Sequence, residues 1–332
     1  MRNYLSVISN HFRALQEWAI DKEAQLDLDV KTFVLEVKHR GRYYHMYPLF
    51  QASSEGQLRH TGFLPKDVVG FGGWRPYPPI RHPHSLNKLL FKDFLRKSEL
   101  RTPTFLTKAG QSQPEFDYIL KGTSGSFGRE IAGPFRASQP ADLNGSTTNP
   151  PPSTHFVEKF IEGTSLKVWF WGAKAFFAHA QSFPEIEGDG VTTVESLLRQ
   201  RLTSCRLDWE HFSDRSIILE CLRFQNISSG AVLKTGESLW FDYRYGKHYE
   251  PVHGATPDSD NNLPSLLEQT GTQIHDMGSA LANLLKPNFA APIMISVDGM
   301  LDHDGNIWWL EMNTNSLMPP EGYAAMFSDI FP

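Results

Sequence analysis

Asp298, Glu311 and Asn313 are the side chains of this sequence best suited to chemistry. The segments ISVDGML (295–301) and NIWWLEMNTN (306–315) flank the polar turn Asp302-His303-Asp304-Gly305, so they read as a β-hairpin. Glu311 and Asn313 stand two residues apart and point to one face, and Asp298 comes from the other strand. A carboxylate set among apolar strands is costly unless a cation or hydrogen-bond donors meet it. Hard oxygen donors on a rigid sheet suit Mg²⁺ beside the phosphates of a nucleotide. The alternative is a surface hairpin with solvated acids. The Trp-Trp-Leu run leading into Glu311 argues against it.

A second cluster precedes this one in the chain. Lys121-Gly-Thr-Ser-Gly-Ser-Phe-Gly128 follows a strand-like run, and its glycines and hydroxyls allow backbone amides to turn inward around phosphate oxygens. The candidate loop residues are Ser124, Gly125, Ser126, Phe127 and Gly128. No Gly-Lys-Ser/Thr closes it, so it is not a Walker loop. A plain flexible turn is the competing reading, and Lys121, placed to neutralise a wrapped phosphate, weighs against it. Lys88, at the start of the preceding helix, is a second candidate cation; alone it would be a solvated helix residue. Glu158-Lys159-Phe160-Ile161 is an extended apolar segment. Such a segment can read a purine edge through its backbone, and alone it is also a generic amphipathic strand.

The elements that must position these residues are read from periodicity. Leu5, Ile8, Phe12, Leu15 and Ala19 have helical spacing, so 3–19 is a helix. TFVLEVKH (32–39) and RYYHMYPL (42–49) form a hairpin, and the Gly/Pro/aromatic stretch 60–84 reads as an ordered surface loop. A helix should run from an N-cap at Ser85 to Leu100, stopped by Pro103. PEFDYILKG, THFVEKFI and two apolar runs around Gly172 within 166–181 are strands, and VESLLRQRL is a helix. SIILECLRFQN and ESLWFDYRYGKHY are strand candidates, and 264–285 is one amphipathic helix. The segments 136–153 and 250–263 read as polar loops. The class is α+β with antiparallel hairpins and helices on their faces.

Composition sets the outer limits. The 332 residues allow two or three subdomains, and the net charge of −5 offers no electrostatic argument for nucleic acid or an anionic membrane. No apolar run reaches membrane-spanning length, and the N-terminus does not read as a signal peptide. Two cysteines, Cys205 and Cys221, are too few for a disulfide scaffold, which points to a reducing, cytoplasmic setting.

Together the ordered pieces Asn87-Lys88, ILKGTSGSFGRE, FVEKFIEGTSLKVWFWGAKAF, GDGVTTVESL and ISVDGMLDHDGNIWWLEMNTN resemble the ATP-grasp superfamily over roughly 85–318. The hairpin is similar to that of D-alanine–D-alanine ligases, whereas the glycine loop and GDGVTTVESL look closer to cyanophycin synthetase and related glutamate ligases. The resemblance implies two α+β subdomains clasping ATP: a lid subdomain (85–162) and a large subdomain with the metal site (163–332). The atypical N-terminal region (1–84) reads as a helix plus a hairpin. It implies that Lys88 and Lys121 contact phosphates, that Gly125 to Gly128 cover them, and that Glu158 to Ile161 read adenine. It further implies that Asp298, Glu311 and Asn313 hold Mg²⁺. Lys167 falls where many members carry a γ-phosphate arginine, keeping the charge but losing the bidentate fork. Ser165 falls where many carry a ribose-binding acid, with Glu162 as a substitute. Ser296 and Leu317 also depart from the pattern, and the first 80 residues lack βαβ alternation. D-alanine ligation is therefore not expected.

The implied activity is that of an ADP-forming carbon–nitrogen ligase joining a small-molecule or peptide carboxylate to an amine through an acyl phosphate. Positioning and charge neutralisation dominate such phosphoryl transfer. Arg244, with Arg223 behind it, is the candidate oxyanion donor. Trp74, Tyr77, Trp240, Tyr243 and Tyr245 hint at an aromatic-lined or peptide-sized substrate site, with core or surface filling as the alternative reading of each. No nucleic-acid or membrane partner is expected, and a homodimer is compatible with the sequence. A small-molecule kinase and a catalytically degraded nucleotide-binding module are the rival classes.

Overall fold

Antiparallel pairing organises every sheet of the chain. The computed structural model describes residues 4–54, 57–107, 114–124, 131–137, 155–246, 249 and 261–332. Most of the two polar stretches read from the sequence, 136–153 and 250–263, lies outside them.

Helix α1 (Tyr4–Lys22) covers a five-stranded sheet made of β1 (Gln25–Leu28), β2 (Leu35–His39), β3 (Arg42–Ser54), β4 (Gln57–Thr61) and β5 (Val68–Arg75). The expected loop at 60–84 is thus corrected: it contains β5, with Phe71, Trp74 and Arg75 buried. Its glycines mark close approach rather than a loop. A Cβ on Gly72 would lie 2.7 Å from Leu49 Cδ2, and Gly73 adopts φ +89°. This region is not a separate core. Leu15, Phe50, Phe71 and Trp74 pack with Trp171, Met294 and Phe327, the last from the C-terminal helix.

The helix expected from Ser85 is two helices, α2 (Pro83–Leu86) and α3 (Lys88–Lys97). The cap is Asn87, in extended conformation, whose side chain accepts from the Leu89 and Leu90 amides. Strands β6 (Phe105–Leu106), β7 (Tyr118–Gly122), β8 (Ile131–Phe135) and β9 (His155–Lys159) form a sheet in the order β6-β9-β7-β8.

The hairpin β10 (Thr164–Trp171) and β11 (Lys174–Gln181) follows, then β12 (Glu185–Glu187) and α4 (Val194–Ser204). SIILECLRFQN is not a strand but helix α5 (Arg215–Phe224), because Ile217, Ile218, Cys221 and Leu222 recur at helical spacing and are buried together. Of ESLWFDYRYGKHY only β13 (Ser238–Trp240) is strand, paired with β12. The single helix expected over 264–285 is two, α6 (Leu263–Thr270) and α7 (Gln273–Leu285), broken at Gly271 with φ +61°. Strands β14 (Met294–Leu301) and β15 (Ile307–Asn313) form the expected hairpin, and α8 (Gly322–Ile330) closes the chain.

The sheet β11-β10-β14-β15 is central. One face, through Val168, Phe170, Ile295, Val297 and Met312, packs against Phe91 of α3 and against Leu266, Met277 and Leu281 of α6 and α7. Strand alternation therefore turns Lys167, Trp169, Asp298 and Glu311 to the opposite face. Helix α7 lies close to the β10–β11 turn, where a Cβ on Gly278 would fall 2.1 Å from the Ala173 carbonyl oxygen. Gly278→Ala should therefore cost about 1–3 kcal/mol. The measurement is a urea titration, read as a lower midpoint at unchanged slope; an unchanged midpoint would contradict this contact.

Candidate functional site

Three carboxylates and four lysines meet where the central sheet, α3 and the β6-β9-β7-β8 sheet come together. Register builds the first part. Lys167 on β10 lies opposite Asp298 on β14, and Asp298 lies opposite Glu311 on β15. Lys167 Nζ is 2.5 Å from Asp298 Oδ1, and Asn313 Nδ2–H donates to Asp298 Oδ2 at 3.2 Å. Gly299 directly after Asp298 permits the strands to close up, since a Cβ there would meet Trp309 Cε3 at 3.3 Å.

Helix α3 supplies the second part. Lys88 is its first residue, with its backbone amide bonded to the Thr123 carbonyl at the base of the glycine loop. Its ammonium is 3.3 Å from Glu311 Oε2. One turn on, on the same helix face, Lys92 reaches Glu158, its ammonium also donating to Thr102 Oγ1 at 3.1 Å. Lys121 on β7 donates to Glu158 Oε1 at 2.6 Å. Lys92 and Glu158 are 0% and 1% exposed, a burial tolerated because each charge has an opposite one in contact. The rings of Phe105 and Phe156 stand 5.6 and 5.9 Å from the Lys92 ammonium.

The electrostatics separate the carboxylates. Burial pushes the Asp298 carboxyl up, against the pull of Lys167, and the neighbouring Glu311 adds to the rise. Burial acts the same way on Glu311, but Lys88, Lys121 and Lys167 outweigh it and hold that carboxyl below its ordinary value. Glu158 likewise overcomes its burial, through Lys121 and Lys92, and stays low. Two facing carboxylates, one of them strained by burial and by its neighbour, plus a carboxamide oxygen source, make a donor set that fits a hard divalent cation. Among the described residues no group of three His, Cys, Asp or Glu side chains gathers as a metal set; the residue beside the two acids is the carboxamide Asn313.

The remaining candidates divide. Ser124 is exposed, and Gly125, Ser126, Phe127 and Gly128 lie outside the described residues. Lys159 is exposed, Ile161 is half-buried, and Phe160 is buried among Phe183, Phe224, Trp240 and Tyr243. Ser165 is buried, with its hydroxyl donating to the Tyr243 carbonyl at 3.5 Å. Glu162 accepts from the Trp240 indole at 3.2 Å. Arg244 is committed elsewhere: its guanidinium contacts Asp242 at 2.7 Å and Asp214 at 3.0 Å. Tyr249 donates to the same Asp242 at 2.6 Å. Arg223, its side chain 61% exposed, stands on α5 near Glu220. Of the aromatic residues, Trp74 is core, Trp240 and Tyr243 pack beneath Phe160, and Tyr77 accepts from the Met294 amide. Tyr245 reaches the site, its ring 5.4 Å from the Lys167 ammonium. Sequence reasoning missed Lys92, although its position four residues after Lys88 was a usable signal.

No family model matches the chain. No curated protein matches it either. Among solved structures it is similar to a bifunctional glutathione synthetase from Pasteurella multocida at 14% identity and TM-score 0.46, covering 98% of this chain and 44% of that one. It is similar to a D-alanine–D-alanine ligase from Bacillus anthracis at 14% identity and TM-score 0.39, covering 74% of this chain and 63% of that one. An L-amino acid ligase from Bacillus licheniformis has 12% identity and TM-score 0.33, with coverages of 70% and 40%. The chain therefore spans less than two thirds of the length of each, and likeness at this level carries no argument about activity.

Because the folded Glu158 carboxyl is held low, its pairing stabilises the fold above the unfolded carboxyl's pKa and is lost as pH falls through the folded value. Glu158→Gln should cost about 3–5 kcal/mol at pH 7, since two buried lysines lose their partner. Urea titrations from pH 7 downward should show that deficit shrinking with acidity; a deficit independent of pH would contradict the pairing.

Proposed function

We propose that this chain is an ATP-grasp-type ligase, forming ADP as it joins a carboxylate to an amine. The observation supporting this reading best is the cluster of Lys88, Lys121 and Lys167 around Asp298, Glu311 and Asn313, at the meeting of two antiparallel sheets. Such a face suits a triphosphate: lysines for phosphate oxygens, acids for a cation. A free carboxylate is a poor acyl donor because its leaving group is oxide. In the proposed reaction a carboxylate oxygen attacks the γ-phosphorus, the bond to the β,γ-bridging oxygen breaks, and ADP leaves. The amine nitrogen then attacks the acyl carbon, the bond to the phosphoryl oxygen breaks, phosphate departs, and the amine's proton passes to solvent. Positioning and charge account for most of the acceleration in such transfers.

Within this reading Lys121 and Lys88 bind phosphate oxygens, and Lys92 with Glu158 keeps Lys121 in place from below. Lys167 lies nearest the reacting oxygens. Asp298, Glu311 and Asn313 would hold one or two Mg²⁺, which when bound neutralises charge on the phosphates. Phe160 and Ile161 share a hydrophobic cluster with half-buried Ile131, Trp308 and Leu310, an apolar surface suited to a purine ring. The paired state of Arg244 favours a role in holding the 242–249 segment over donation to an oxyanion. An amino acid or peptide is the proposed amine, in a reducing cytoplasmic setting. Among the described residues no helix is long and apolar enough to cross a membrane.

The test is ADP release with magnesium, ATP and paired acids and amines, with the product identified by mass. Asp298→Asn and Glu311→Gln should each lower turnover at least about 100-fold, measured at a temperature below the unfolding transition of each variant. Full turnover in both variants would remove the metal assignment. Lys121→Ala should weaken nucleotide binding by about tenfold or more, measured by calorimetry; equal affinity would contradict its phosphate contact.

A further inference from the structure

A cavity of about 530 Å³ opens beside Lys167, on the side of the central sheet that carries the charged cluster. Trp169 and Phe177 of the β10–β11 hairpin form its floor, with His179 and Tyr245 toward Lys167. Phe71 and Val69 of β5 form the opposite wall, and the segment after β15, through Met318 and Pro320, closes a third side. The segment after β15 is tied down at several points. The Trp169 indole donates to the Leu317 carbonyl at 2.9 Å, and buried Arg75 donates to the carbonyls of Thr314 and Ser316. Tyr245 Oη and His179 Nδ1 are 3.0 Å apart, and the Lys167 ammonium lies 5.4 Å from the Tyr245 ring centroid and 5.8 Å from that of Trp169.

Its lining contains no Asp, Glu, Lys or Arg. His11 at its edge is buried against Arg75 and hydrogen-bonded to Tyr323, and burial holds it neutral, with its pKa lowered to about 3. Gln51 lines the wall while 93% buried, counting its 7% exposure, and its amide nitrogen has no hydrogen-bond partner. A charged substituent would find no counter-charge in this lining, whereas an apolar group would cover its apolar surface. Volumes of this size suit a small organic ligand. At the inner end the sign is set by Lys167 and by the cation that Asp298 and Glu311 suit, so a carboxylate is attracted and an ammonium repelled.

We propose that this cavity selects the acid substrate, taking a carboxylic acid with an uncharged alkyl or aryl tail and turning its carboxylate toward Lys167. The selection rests on the ligase reading above. Gln51 supplies one donor for a polar atom on the tail, and the N-terminal region, through β3 and β5, is the part of the chain that sets specificity.

The experiment uses full-length protein with magnesium, ATP and hydroxylamine, which traps an acyl phosphate as a hydroxamate with release of ADP and phosphate. The acids are acetate, hexanoate, 3-phenylpropionate, succinate and glutamate. The expected kcat/KM rises about fourfold per buried methylene, so hexanoate and 3-phenylpropionate exceed acetate by at least about 100-fold, and succinate and glutamate fall below both. Gly70→Val narrows the cavity, because a Cβ there already meets Gln51 Oε1 at 3.2 Å. It should collapse the ratio of 3-phenylpropionate to acetate by at least about tenfold. A wild type that prefers succinate or glutamate overturns the selectivity while leaving the ligase reading standing. If no acid yields hydroxamate, the ligase reading fails, and equilibrium dialysis of labelled 3-phenylpropionate decides the cavity separately. Binding that Gly70→Val weakens supports it, and no saturable binding overturns it.

Discussion

Mutual neutralisation of buried charge is the constraint on which the architecture depends. Lys88, Lys92, Lys121 and Lys167 face Asp298, Glu311 and Glu158, four lysines against three acids, with burial lowering the Lys92 pKa and raising that of Asp298. Each pair links a different set of elements: α3 to β15, α3 to β9, β7 to β9, and β10 to β14. Removing a member leaves its partner desolvated without a counter-charge, a penalty larger than the pair's own net worth. The same ties that dock α3 between two sheets therefore hold the ammonium groups where a polyanion can meet them.

The central sheet makes this possible by having two unlike faces. On one side Val168, Phe170, Ile295 and Val297 disappear into a core with three helices. On the other, Phe177 and His179, then Trp169 and Lys167, then Ser296 and Asp298, then Asn313 and Glu311 succeed one another across the strands. Polarity thus changes across a single rigid surface, from an aromatic edge to a charged one. Lys167 lies at the change, between two aromatic rings and a carboxylate. A surface graded in this way offers an apolar patch and a charged patch side by side on one rigid sheet.

The charged hairpin was legible because β alternation is local: Asp298, Glu311 and Asn313 declare their shared face within twenty residues. The two outer helices, α1 and α4, and the β10–β11 hairpin were legible for the same reason. What failed was tertiary in origin. Gly70, Gly72 and Gly73 read as loop residues, yet they serve close packing against Gln51, Leu49 and Tyr323 respectively. SIILECLRFQN opens on β-branched Ile217 and Ile218, yet the helical spacing of its buried residues decides the outcome. Asn87 displaced Ser85 as the cap because only the structure shows which carboxamide or hydroxyl reaches the free amides. Arg244 looked free for catalysis because its partners, Asp242 and Asp214, are acids that any sequence scatters at random. Lys92 stayed hidden since a lysine on a helix is ordinarily solvated, and its burial depends on Glu158 some sixty residues away.

The central claim is that the acidic hairpin and the lysines around it form one site for a metal–triphosphate. The most direct measurement is anomalous diffraction from a crystal grown with Mn²⁺ and a nonhydrolysable ATP analogue. The account predicts an anomalous peak within coordination distance of the Asp298 and Glu311 carboxylates, with the terminal phosphates against Lys121 and Lys88. A metal peak away from both carboxylates, or a triphosphate bound elsewhere on the molecule, would contradict it.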